Sequence, residues 1–214
     1  MVRRPLAFFF CLTLCLTAPA PADQGPTYHG PLSTAEKAFV AGIQADLMQR
    51  FPTSADAIKA GYVRYTGEDD TGAISYANKQ WQSADAQHPS QLWYDKSGHL
   101  LGADFSQLMT GPERPTMFGV NPGRLYEFDD HIHYVLKDAD GNVSYDQYMY
   151  PKDFAAKGAD AKNPTPADLV KLGKANNASE VVTVFDFPSI WDMIVWVKPN
   201  PNGAFAEKNP AVKP

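Results

Sequence analysis

Apolar residues recur along this chain with two different periods. Phe39, Val40, Ile43, Leu47 and Phe51 return every three or four positions, the spacing that lays one face of an α-helix on a core. Ser33, with Glu36 three residues later, forms a capping box and marks where that helix begins. A shorter helix restarts in "FPTSADAIKAGY" after Pro52, with Thr53 or Ser54 as cap and Gly61 as stop. From Tyr62 the period falls to two. "YVRY", "AISYA", "SQLWYD", "HLLGADF", "HIHYVLK" and "VSYDQYMY" predict strands rich in aromatic and β-branched residues. One later helix is marked by "NPTPADLVKLGK", where Thr165 caps, Pro166 takes the first turn, Asp168 lies at the positive end of the helix dipole and Gly173 ends the run. "VVTVFDF" and "WDMIVWV" predict two final strands. Met193 to Val197 is apolar on both parities, as in a strand covered on both faces.

The turns order these strands into hairpins. "YDKSGHLL" turns at Lys96, Ser97 and Gly98, and Glu127 to Tyr150 folds back at Asp140-Gly141, a dipeptide favoured where both turn residues need positive φ. The proline- and glycine-rich stretch from Thr110 to Arg124 predicts a long ordered loop. The pattern implies an α+β fold: a mainly antiparallel sheet built from hairpins, with the N-terminal helices and one later helix packed on one side.

The chain ends change the composition. Arg3 and Arg4 precede an apolar run from Leu6 to Leu16, and Ala20 and Ala22 supply an A-x-A site, the layout of a secretory signal cleaved after Ala22. The run is shorter than the ~20 residues a membrane span needs, so no transmembrane segment is expected. Residues 1–22 are then leader, and 23–214 form one α+β domain with an extended proline-rich tail over about 198–214. The expected destination is periplasmic or secreted. Cys11 and Cys15 leave with the leader, which removes disulfides and thiolate chemistry from the mature chain. Losing Arg3 and Arg4 takes the formal charge from −5 to −7. With no basic cluster, nucleic acid is not an expected partner.

Candidate chemistry concentrates on the second hairpin. A two-residue turn would pair Lys137 with Ser144, Val135 with Asp146, His133 with Tyr148 and His131 with Tyr150. One face then gathers His131, His133, Asp146, Tyr148 and Tyr150, joined by Glu127 and Asp129 if the strand runs straight back. Imidazoles and carboxylates are the ligands of zinc, iron or manganese where thiolates are absent, and histidines at i and i+2 on a strand point the same way. A third ligand must come from elsewhere: His99, His88 and Asp104 are candidates, and Trp93 offers an aromatic wall. The expected function is an exported domain that binds a metal ion or small molecule on this His/Tyr/Asp face. A metal-dependent hydrolase or oxygenase, with Asp146 or Glu127 as general base on a bound water, is one alternative. A structural or interaction module is the other, since alternating polar residues also make an ordinary wet sheet face. "DADGNVSYD" begins like a calcium loop, but Val143 and Met149 occupy the sixth and twelfth positions, where glycine and glutamate are needed. There is no G-x-S-x-G elbow and no glycine-rich phosphate loop.

Overall fold

The computed structural model describes residues 25–214. The expected leader, its cleavage site and both cysteines lie outside the described residues. Two helices come first among the described residues, α1 (Thr34–Arg50) and α2 (Ser54–Lys59). Both start as their sequences dictate. The Glu36 N–H donates to Ser33 Oγ and the Ser33 N–H donates to Glu36 Oε2, and Thr53 and Asp56 repeat the arrangement in α2. Nine strands and two further helices follow: β1 (Val63–Arg64), β2 (Ile74–Ala77), β3 (Gln91–Tyr94), β4 (Leu100–Leu108), β5 (Tyr126–Phe128), β6 (His131–Lys137), β7 (Val143–Met149), α3 (Pro151–Ala155), α4 (Pro166–Lys171), β8 (Val181–Phe187) and β9 (Ile190–Trp196).

The strands form two antiparallel sheets, with six strands in the order β1-β2-β3-β4-β9-β5 and three in the order β7-β6-β8. The period-two patterning explains the layering. On the six-stranded sheet, Tyr76, Leu92, Ala103, Phe105, Met193 and Val195 pack with Val40, Ile43 and Leu47 of α1. On the three-stranded sheet, Ile132, Tyr134 and Val184 pack with Phe154 of α3 and Leu169 of α4. The remaining faces meet one another through Tyr65, Val135, Phe185, Phe187 and Ala77. The α+β architecture and its hairpins are therefore as the pattern implies. Its helices lie outside two sheets, however, and not on one side of a single sheet. Two helices, not one, follow the second hairpin.

Both hairpins turn by the same device. Asp95 and Asp138 each accept two backbone N–H groups with Oδ1, from Ser97 and His99 and from Asp140 and Asn142. The loops therefore hold three residues and close on Gly98 (φ +80°) and Gly141 (φ +88°). The second turn is one residue longer than Asp140-Gly141 alone requires, so Lys137 faces Val143 and Leu136 faces Ser144. A bulge then sets Tyr145 and Asp146 against Val135 and restores the expected pairs His133–Tyr148 and Ile132–Met149. A Cβ on Gly141 would meet nothing within 4 Å. Gly141→Ala is accordingly expected to cost about 1–2 kcal/mol through its left-handed backbone alone, read by urea denaturation.

The loop from Thr110 to Arg124 packs on the α1 side: Met117 and Val120 are buried in the main core, and Phe118 stacks on Phe39 at 5.2 Å. Arg124 and Glu36 form a buried ion pair (Nε–Oε1 2.7 Å) that joins this loop to α1, to the Gly30 and Pro31 carbonyls, and to Phe205 of the tail beneath the guanidinium. The tail itself is anchored by turns, with Phe205 and Val212 buried and the Trp196 indole N–H donating to the Ala206 carbonyl. Among the described residues no helix is long and apolar enough to cross a membrane.

Candidate functional site

The inner faces of the two sheets part to leave a cleft of about 380 Å³. Alternation explains its lining. Residues one position off the α1-facing rows, Ser75, Gln91, Trp93, Asp104, Asp192 and Ile194, point into it from the six-stranded sheet. His131 and His133 of β6 and Phe187 of β8 face them, with Phe128 at one side. The rim is polar: Asp69 caps its own loop through Thr71 and Ala73, and Asp70 pairs with Lys208 of the tail at 3.1 Å.

The floor is built from cross-strand pairs. Gln91 stands opposite Asp104, and Ser106 opposite Asp192. The Ser106 hydroxyl donates to Asp192 Oδ1 (2.8 Å) and shares a 2.6 Å hydrogen bond with Ser90. The Tyr65 hydroxyl donates to Gln91 Oε1. Asp104 is 3% exposed and Asp192 1%. Asp104 Oδ1 has no hydrogen-bond partner. Both carboxyls titrate well above the ordinary range: burial disfavours their charge, and for Asp104 the nearby Asp192 adds to it, against a hydrogen bond from the Trp93 side chain.

The two histidines are bonded to each other. His131 Nδ1 lies 2.8 Å from the Asp129 carbonyl, and its Nε2 lies 2.9 Å from His133 Nε2. A carbonyl only accepts, so His131 carries a proton on Nδ1. With both rings neutral, His131 Nε2 accepts from His133 Nε2–H, and His133 Nδ1 keeps a bare lone pair. That atom is buried, and the Gln147 backbone is the hydrogen-bonding group beside His133. Burial, and then the neighbouring His131, push His133 down to about 3 against that backbone contact, which favours the protonated ring. Phe187 stacks on His131 (4.6 Å) and Tyr65 meets His133 edge-on (4.8 Å).

The structure brings together His131, His133, Trp93 and Asp104 of the expected residues and disperses the rest. His99 is exposed beside Asp95, and His88 stacks on Trp81 (4.1 Å) while bonding Asp85. Glu127 of β5 stands opposite Trp191 of β9, and Asp129 contributes its carbonyl; neither side chain lines the cleft. Asp146, displaced by the bulge, accepts from the Gly67 N–H at 2.9 Å and ties β7 to the segment after β1. Tyr148 is 53% exposed and meets Tyr150 edge-on on the outer hairpin. The Thr110–Arg124 loop lines none of the cleft. Among the described residues, no group of three or more His, Cys, Asp or Glu is arranged to hold a metal ion.

Sequence reasoning passed over Asp192, Ser106, Gln91, Tyr65 and Phe187. One signal was available: a lone aspartate inside each of two strands otherwise apolar on both parities, "LLGADF" and "IWDMIVW". Charged residues at such positions are seldom fully buried without a partner. No family model, curated protein or solved structure matches this chain.

Proposed function

We propose that this chain is an exported binding protein for a small organic molecule, with its site in the cleft between the sheets and not on the outer face of the hairpin. The observation that carries the reading is Asp104 Oδ1, a carboxyl oxygen with no partner in the lining of a cavity large enough for such a ligand. Perturbed titratable groups gathered in a concave site add support, because functional sites are where such shifts collect. The exported destination rests on the leader sequence. A second reading, that the hairpin is a structural element, is favoured for the His131–His133 pair by the absence of a third ligating group among the described residues.

NMR titration of the purified protein separates these readings. Zinc, manganese and iron(II) form one series and a library of small organic fragments the other. Movement of the Trp93 indole and His133 ring signals by fragments, diminished in Asp104→Asn, supports the proposal. Micromolar zinc shifting only the histidine rings would restore a metal centre on β6. Silence in both series leaves an interaction module.

A further inference from the structure

We infer that the ligand of the cleft is an organic cation, an ammonium or amidinium group held by Asp104 and Asp192 between aromatic walls. This rests on the small-molecule reading above and assigns the chemistry of its ligand.

The hydrogen-bonding groups of the floor are unevenly used. Three hydroxyl donors on the floor are engaged by the protein: the Ser106 hydroxyl by Asp192, the Ser90 hydroxyl within the Ser106 pair or on the Asp104 carbonyl, and the Tyr65 hydroxyl by Gln91. Beside the Gln91 amide, what the floor offers a cationic ligand is carboxylate. Asp104 Oδ1 is unpartnered on a side chain that is 3% exposed. A molecule completing this site must therefore bring N–H or O–H donors.

Charge narrows the choice. The lining holds five carboxyl groups, those of Asp69, Asp70, Asp104, Asp192 and Glu207, against one ammonium, Lys208, which Asp70 already engages. An anion would find no free cationic side chain there. A cation would draw two buried carboxyls, otherwise held protonated by burial, into their charged form with proton release, in a site where low polarity strengthens the attraction. Trp93, Phe128 and Phe187 line the cleft with aromatic rings, the residue type that holds alkylammonium and amidinium groups. Neutral polyols could hydrogen-bond there, but they would gain nothing from the two carboxyls being acidic.

The test uses one ring with three charges. Benzylamine and benzamidine, benzyl alcohol, and benzoate are titrated into the purified protein at neutral pH, with the Trp93 indole N–H signal and calorimetry as readouts. The expected result is that the two cations bind at least tenfold more tightly than the alcohol and that benzoate does not bind. Asp104→Asn and Asp192→Asn should each weaken the amine at least tenfold and leave the alcohol within threefold; a retained thermal midpoint shows that the fold is intact, and either variant suffices if the other fails to fold. Equal or tighter binding of benzyl alcohol or benzoate at the Trp93 signal would overturn the cation and leave the cleft as a ligand site. No response to any probe would overturn both readings.

Discussion

Arg124→Ala is expected to lower stability by about 3–5 kcal/mol, measured by chemical denaturation at neutral pH. The variant leaves the Glu36 carboxylate inside the protein without its counter-charge. Arg124 is 5% exposed and Glu36 3%, and the guanidinium meets both carboxylate oxygens (2.7 and 3.3 Å) while donating to the Gly30 and Pro31 carbonyls. Burial alone would raise the Glu36 carboxyl. Hydrogen bonds from Arg124 and from the Ser33 and Asn121 N–H groups outweigh it and hold the group at about 2. A depressed carboxyl contributes stability that is present above its unfolded value, near 4.5, and is lost as pH falls towards 2. That part of the acid limb should shrink in Arg124→Ala. The double variant Glu36→Gln, Arg124→Met should recover much of the loss, because it leaves no unpaired buried charge and the introduced amide oxygen can still accept a backbone N–H from Ser33 or Asn121. A loss below about 1 kcal/mol for the single variant would show that the pair holds nothing together.

The second large effect is a stability maximum between acid and alkaline limbs, with the two halves of the cleft on opposite sides. His133 titrates near 6.5 when unfolded and about 3 when folded. Between those values the unfolded chain binds more protons, so stability falls as pH drops from about 6.5 to 3. At about 1.4 kcal/mol per unit, this term is on the order of 4–5 kcal/mol at the acid end. Asp104 and Asp192 act with the opposite sign. Their folded carboxyls titrate above the unfolded value, so the native state keeps protons that the unfolded chain releases, and stability falls as pH rises above about 4. The groups facing these sites are His131 and Tyr148 for His133, Trp93 and Ser106 for the carboxyls, and Tyr65 between them. His133→Phe should flatten the acid limb and Asp192→Asn the alkaline one, in urea titrations from pH 3 to 9. Superimposable pH profiles of the parent and His133→Phe would refute the assignment.

The helix starts were legible because capping is local: Ser33 with Glu36 and Thr165 with Asp168 act within one turn of chain. The His133–Tyr148 pairing is legible too, although the loop holds one residue more than a two-residue turn, since the bulge at Tyr145 and Asp146 cancels the difference. Asp146 shows the limit. Its place on the histidine face followed from strict alternation, and one extra residue in β7 sent it instead to the Gly67 N–H.

Local chemistry set most of the elements, the caps of α1, α2 and α4, and the shared faces of unbulged strands, all consequences of periods of 3.6 and two and of side chains reaching a few residues away. Which face meets which depends on packing between segments distant in the chain. Alternation marks β4 and β9 as two-faced, but nothing local says that α1 covers the Phe105 side and that His131, His133 and Phe187 stand across from Asp104 and Asp192. Most of those partners lie far apart along the chain, and even Phe187 and Asp192, five residues apart, belong to different sheets. Their meeting depends on how two sheets pack, and it is that packing which takes two aspartates out of water and makes a cleft of them.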